Sequence, residues 1–295
     1  MKKLLSMLVM ASMMVFALGT MGASAAAKAP KNDKAVVVVS FGSTFDDTRT
    51  KDIGGIEEAV AKAFPNRDFK RAFTSYIIME RLEKNKGIKV NDLPATLKEL
   101  KKAGYKDILV QPTHLLHGEE YEHKVLTTVD KFKGDFDRDP LMVGKNDFAI
   151  AASAVATQFP TLGKGEGVVL MGHGSPRDNN QSFGNTYKML QETFDKMGLP
   201  VVVGTVEEVD TPNVDEVLEQ IKARGYKTVH MFPLMIVAGD HANNDMYGDE
   251  EDSWKSMIEK MGVKTVGHLQ GIGRNAAVQA IYVQHAVAAE AGVQR

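Results

Sequence analysis

The sequence predicts an α/β protein of two similar lobes, each a four-stranded parallel sheet flanked by helices, with a cleft between them. Three observations lead there. Short apolar, β-branched runs alternate with amphipathic stretches, the pattern of parallel strands joined by helical crossovers. The second half echoes the first, since Gly104-Tyr-Lys-Asp-Ile-Leu-Val-Gln-Pro112 matches Gly225-Tyr-Lys-Thr-Val-His-Met-Phe-Pro233 without a gap. Two further echoes keep the same order: Val36–Ser43 lines up with Val168–Ser175, and Gly144-Lys-Asn146 with Gly273-Arg-Asn275.

The chain starts with Met1-Lys2-Lys3, an apolar run from Leu4 to Leu18, and small residues through Ala27. This order predicts a secretory signal peptide over residues 1–27, cleaved between Ala25 and Lys28. The apolar run is too short and wrongly flanked for a spanning helix. The mature protein is therefore expected to be exported and periplasmic, with no later stretch long and apolar enough to cross a bilayer. In the first lobe, 28–162, strands are expected near Ala35–Ser40, Phe69–Ala72, Asp107–Gln111 and Leu141–Val143. Helices are expected over Lys51–Phe64, Leu93–Ala103, Glu119–Phe132 and Asp147–Phe159. The Gly-rich link Leu162-Gly-Lys-Gly-Glu-Gly167 opens the second lobe, 163–295. There the expected strands are Gly167–Met171, Val201–Gly204, Thr228–Phe232 and Lys264–Leu269. The expected helices are Gln181–Met197, Val214–Ala223, Asp252–Met261 and Asn275–Ala291.

Composition narrows function. The absence of cysteine excludes thiolate metal sites and cysteine nucleophiles. A formal net charge of -2 gives no basic surface for nucleic acid. Open parallel sheets bind ligands at the carboxyl ends of their strands, where His173, Glu120 and His241 all fall. Continuing the repeat register makes Glu120 and His241 counterparts. Neutral imidazole with carboxylate suits divalent first-row metals, and three ligands leave positions open. A histidine at a strand end serves equally as a packed or capping residue. Gly172 and Gly174 around His173 fit either a plain tight turn or a close approach of backbone to a flat ligand.

Several blocks together carry a family resemblance: Val38-Val-Ser-Phe-Gly-Ser43, Arg71-Ala-Phe-Thr-Ser75, His117-Gly-Glu-Glu-Tyr-Glu122, Met171-Gly-His-Gly174, and Pro233–Met246 with Asp252-Ser-Trp254. The chain resembles the anaerobic sirohydrochlorin cobaltochelatases of cobalamin biosynthesis, which are related in fold to the ferrochelatases. The resemblance implies a two-lobed enzyme that inserts Co²⁺, or Fe²⁺, into sirohydrochlorin. It also implies that His173, His241 and Glu120 handle the metal and the pyrrole protons, with His173 as base and ligand and the other two as metal ligands. The signal peptide departs from the family pattern, because cobalamin synthesis is cytoplasmic; it points an exported copy towards metal or haem traffic. The alternative is an exported two-lobed carrier that binds metal or tetrapyrrole without catalysis.

Sirohydrochlorin is a polycarboxylate, so cations and hydroxyls are expected around it: Ser43, Arg71, Thr74, Ser75 and Arg177. Glu207 and Glu208 are read either as an outer metal or proton-passing pair or as residues approaching a helix. The run Asp249-Glu-Glu-Asp252 is read as a solvated loop. On the Glu119–Phe132 helix, His123 lies about 200° from Tyr121 at 100° per residue, on the exposed side. An exposed helical imidazole is either a plain surface residue or an axial haem ligand at a contact between subunits of a homo-oligomer. His114 and His117 precede Glu120 and are placed to serve the cleft, while His230, His268 and His285 are read as structural.

Overall fold

A computed structural model describes residues 33–115, 118, 120–132, 148–174, 186–208 and 210–292. Strand β1 (Lys34–Ser40) pairs in parallel with β2 (Asp68–Phe73) and β3 (Asp107–Pro112), in the order β2-β1-β3. Strands β4 (Glu166–Gly172), β5 (Val201–Thr205), β6 (Thr228–Pro233) and β7 (Lys264–Gly267) form a second parallel sheet, β5-β4-β6-β7. The expected strand at 141–143 lies outside the described residues, so the first sheet has three described strands.

The central strands explain why the sheets are covered on both faces. Val36, Val37, Val38 and Val39 have no solvent exposure although alternate side chains point to opposite faces. Val36 and Val38 join a core with Val168, Leu170 and Phe232 of the second sheet. Val37 and Val39 pack instead with Leu93, Leu97 and Leu100 of α4 (Leu93–Lys102) and with Tyr121 and Val125. Helix α4 starts at Asp92, whose carboxylate accepts the Ala95 N–H at 2.8 Å.

The duplication persists in the hydrogen-bond register. Val39 of β1 lies opposite Pro112 of β3, and its repeat counterpart Met171 of β4 lies opposite Pro233 of β6. Thr113 N–H then donates to Val39 O at 2.9 Å, and Leu234 N–H to Met171 O at 2.7 Å. Each half next enters a π-helical turn: Tyr121–Leu126 follows Glu120, and Ala242–Met246 follows His241. The two residues aligned by sequence thus occupy the same position at a helix start in both halves.

Three features differ from expectation or add to it. Helix α3 (Tyr76–Lys86) was not expected; of its residues only Leu82 is fully buried, which blurs the periodic signal, and Ile77 and Ile78 read as strand formers. Its start and stop signals are nevertheless present, because Ser75 caps it and Gly87 ends it in a left-handed conformation. The expected Lys51–Phe64 helix begins earlier, as α1 (Asp46–Thr48) and a π-helical segment Arg49–Ile53, before α2 (Gly54–Ala63). The terminal helices cross between halves. Helix α10 (Ala276–Glu290) packs on α2 and β3, while α6 (Phe148–Ala156) packs on α7 (Thr186–Lys196). Tyr282 O–H donates to Thr113 O at 3.0 Å, and Glu290 accepts from Arg67 Nε at 2.9 Å.

Asp52 locks the halves together. Its carboxylate is fully buried and accepts from Arg274 Nε at 2.7 Å, Gly271 N at 3.2 Å and Ala238 N at 3.4 Å. Burial pushes its carboxyl up against the opposing pull of Arg274. No helix among the described residues is long and apolar enough to cross a membrane.

Candidate active site

The loops that leave the carboxyl ends of β1 and β4 are built alike. Ser75 N–H donates to Phe41 O at 3.2 Å, and Glu207 N–H donates to His173 O at 3.2 Å. His173 is thus the counterpart of Phe41, and each is followed by a glycine in the left-handed region: Gly42 at φ 108 and Gly174 at φ 90. Gly172 is required for a different reason. A Cβ there would stand 2.1 Å from the ring of buried Tyr187, whose hydroxyl accepts the Gly174 N–H at 3.1 Å. The glycines therefore serve a tight turn and a close packing contact at once.

His173 Nδ1 lies 3.0 Å from Gly174 O. A carbonyl only accepts, so Nδ1 carries the proton and Nε2 of the neutral ring keeps its lone pair. His241 Nδ1 lies 2.7 Å from Asp245 Oδ2, which assigns its proton in the same way. The two rings meet edge to face, 4.8 Å between centroids at 88°. Two imidazoles with Nδ1 engaged and Nε2 left as the lone-pair nitrogen, both about half exposed, therefore stand side by side. Such a pair can bind a divalent metal or accept protons. Glu207 Oε1 stands 3.9 Å from His173 Nδ1, whereas Glu208 is exposed.

Glu120 lies on the other half in a different network. It is half-buried, its Oε1 has no hydrogen-bond partner, and Lys124 Nζ stands 3.8 Å away. Lys124 donates to Thr74 O at 3.1 Å and sits 4.4 Å over the Tyr76 ring. Among the described residues no three His, Asp or Glu side chains form a group that holds a metal ion. The structure therefore brings His173 and His241 together but does not gather Glu120 into a three-ligand group with them.

The expected substrate contacts have internal partners. Buried Ser43 shares a hydrogen bond of 2.7 Å with Thr48 and accepts the Phe45 N–H at 3.2 Å. Arg71 makes a bidentate pair with Glu57, with Nε to Oε1 at 2.6 Å, which raises its already high pKa. Ser75 Oγ accepts the Ile78 N–H at 3.4 Å. Thr74 is buried with no partner for its hydroxyl. Arg177 and His117 lie outside the described residues. His123 is exposed on its π-helical turn, and the acidic run at 249–252 is exposed.

Residues not singled out from sequence now matter. Asp245 orients His241, and the i,i+4 spacing was legible on a helix. Phe41, Tyr76, Ile77 and Leu115 are large, apolar and 42–61% exposed, and all follow strands of the first sheet. His114, which the sequence placed to serve the cleft, instead has buried nitrogens with no hydrogen-bond partner, and burial pushes the imidazole down to about 4.

Comparison with known proteins fits this arrangement. The family model described as cobalt chelatase (CbiK) matches residues 34–290. The sirohydrochlorin cobaltochelatase of Salmonella typhimurium is 37% identical over 256 residues, 85% of this chain and 94% of that protein. The sirohydrochlorin cobaltochelatase CbiKC of Nitratidesulfovibrio vulgaris is 28% identical, over 88% of this chain and 92% of its own length. Among solved structures, the sirohydrochlorin chelatase SirB from Bacillus subtilis subspecies spizizenii, in complex with cobalt, shares the fold with a TM-score of 0.52. That likeness has 15% identity and covers 86% of this chain and 94% of the other. By the family match and the Salmonella relative, the chain belongs to the CbiK cobalt chelatase family.

Proposed function

We propose that this chelatase inserts Co²⁺ into sirohydrochlorin, with His173 as base and ligand and with His241 and Glu120 as metal ligands. The names of the curated relatives support the substrate. The observation that carries the reading is the His173–His241 pair, with rings 4.8 Å apart and both Nδ1 atoms engaged.

The reaction replaces two pyrrole N–H bonds by bonds from four nitrogens to one M²⁺, so two protons leave for each ion inserted. Those N–H groups are weak acids until the metal engages. His173 Nε2, which keeps its lone pair in the neutral tautomer, takes a proton as it is released. Glu207, 3.9 Å from Nδ1, offsets the positive charge that the ring then carries. Asp245 raises the donor strength of His241 towards the metal. Glu120 Oε1, which accepts no hydrogen bond, supplies the carboxylate ligand from the first lobe. This nitrogen and oxygen set also suits Fe²⁺, the second substrate metal of the reading.

Phe41, Tyr76, Ile77 and Leu115 offer apolar surface to a flat macrocycle. Of the polar residues assigned to its carboxylates, Thr74 has an uncommitted hydroxyl, while Ser43, Arg71 and Ser75 reach substrate by exchanging internal bonds. Mixing purified protein with sirohydrochlorin and Co²⁺ and following the absorption change tests the reading. Acceleration over the uncatalysed rate supports it; tight retention of ligand without acceleration favours a carrier.

The export reading takes residues 1–27 as a cleaved signal peptide and the mature protein as periplasmic. Mass spectrometry of the protein from the periplasmic fraction checks it. Haem ligation by His123 at a homo-oligomer contact is checked by the absorption spectrum as isolated, where a Soret band supports it and its absence opposes it.

A further inference from the structure

A second pair of imidazoles stands away from the chelatase pair, on the second sheet. His230 lies in β6 opposite Val168 of β4 and Val266 of β7, and His268 follows β7 with its N–H donating to Met231 O at 2.9 Å. His230 Nδ1 and His268 Nε2 face each other at 3.1 Å. The His268 ring lies flat on Phe232, 4.1 Å between centroids at 3°, and the backbone bond to Met231 anchors the residue. Glu166 Oε2 stands 3.8 Å from His230 Nε2, on the far side of that ring.

We propose that His230 Nδ1 and His268 Nε2 chelate a divalent cation of the copper–zinc class, with the Glu166 carboxylate, 3.8 Å from His230 Nε2, adding negative charge beside the pair. The spacing fits: with metal–nitrogen bonds of about 2.0–2.1 Å, nitrogens at 3.1 Å subtend an angle of about 98° at the ion. That lies between square-planar and tetrahedral geometry, and two imidazoles with water in the open positions favour Cu²⁺, the top of the affinity order. No third His, Asp or Glu joins the pair among the described residues, so solvent completes the sphere.

The proton balance is simple. Without metal one N–H sits between the two rings, and Glu166 favours the proton of His230 on Nε2, leaving Nδ1 as acceptor and His268 Nε2 as donor. As the ion binds, the His268 proton moves through solvent to its Nδ1, and both facing lone pairs meet the metal. Burial and neighbouring His230 push the His268 imidazole down, which keeps it neutral and available.

The test uses the full chain carrying His173→Ala and His241→Ala, so that the chelatase pair does not compete, with CuCl₂ as the probe. One equivalent of Cu²⁺ should bind with the electron paramagnetic resonance signature of two coupled imidazole nitrogens. Adding His268→Gln should abolish that signature and weaken binding tenfold or more. Adding Glu166→Gln, which removes only a nearby charge, should weaken binding less than the loss of either imidazole while leaving the signature in place. Thermal unfolding checks that each variant folds, and His230→Gln gives a second route to the same loss. Absence of two-nitrogen copper before these additions, or its persistence unchanged in both the His268 and His230 variants, overturns the proposal.

Discussion

His241 donates its Nδ1–H to the Asp245 carboxylate at 2.7 Å, one turn along the π-helical segment that follows it. This bond selects the tautomer and leaves Nε2 with its lone pair, in a ring whose centroid lies 4.8 Å from that of His173. Asp245→Ala removes the orienting group while retaining both histidines. Because such carboxylates typically affect metal affinity 10–100-fold, Co²⁺ affinity should fall by about that factor. Isothermal titration of the variant checks it, and an unchanged affinity contradicts it.

Gly172 has no room for a side chain. With a Cβ 2.1 Å from the Tyr187 ring, Gly172→Ala forces the ring or the strand end to move. Overpacking of this kind costs about 1–3 kcal/mol, and the shift reaches His173 through the next peptide. Denaturant unfolding and turnover should both decline; a variant with native stability and rate argues against the contact.

Asp52 accepts from Ala238, Gly271 and Arg274 in the buried junction between the halves. Asp52→Ala strands two backbone donors and half-frees Arg274, which keeps Asp47. Losing one partner of a buried pair costs about 3–5 kcal/mol, with the lower end expected here because Arg274 is partly exposed. Equilibrium unfolding reads this directly, and a loss below about 1 kcal/mol would show that the clamp adds little.

His114 makes stability depend on acidity. Burial depresses its folded pKa from 6.5 to about 4, so the unfolded chain binds the proton more readily between those values. The contribution is fully present above pH 6.5 and is lost as pH falls towards 4. At about 1.4 kcal/mol per pKa unit, the loss is about 3 kcal/mol. Unfolding curves at pH 7 and pH 4 should therefore converge by that amount when His114→Leu is compared with the parent chain. Parallel pH dependences in the two proteins contradict it.

The parts of the fold that rest on local pattern were legible in the sequence. The valine run of β1, the helix expected from Leu93, and the repeat that pairs Glu120 with His241 all reappear as structure. Helix α3 was hidden because its N-terminal isoleucines mimic a strand, despite the Ser75 cap and Gly87 stop. The docking of α10 on the first half is a long-range contact that the repeat obscures, since duplication implies that each half keeps its own helices. At the site, the nearness of His173 and His241 followed from both lying at strand ends. The capture of Arg71 by Glu57 and of Ser43 by Thr48 did not, because a polar residue at a strand end looks the same whether its partner is a ligand or a neighbouring helix.

The most direct measurement is the rate of Co²⁺ insertion into sirohydrochlorin by His173→Ala and His241→Ala, each checked for native thermal stability. With the ring pair acting as base and ligand, losing the His173 base should lower turnover by about 10²–10⁴-fold, and losing His241 should also remove most activity. Full turnover in both variants would contradict the assignment of the pair.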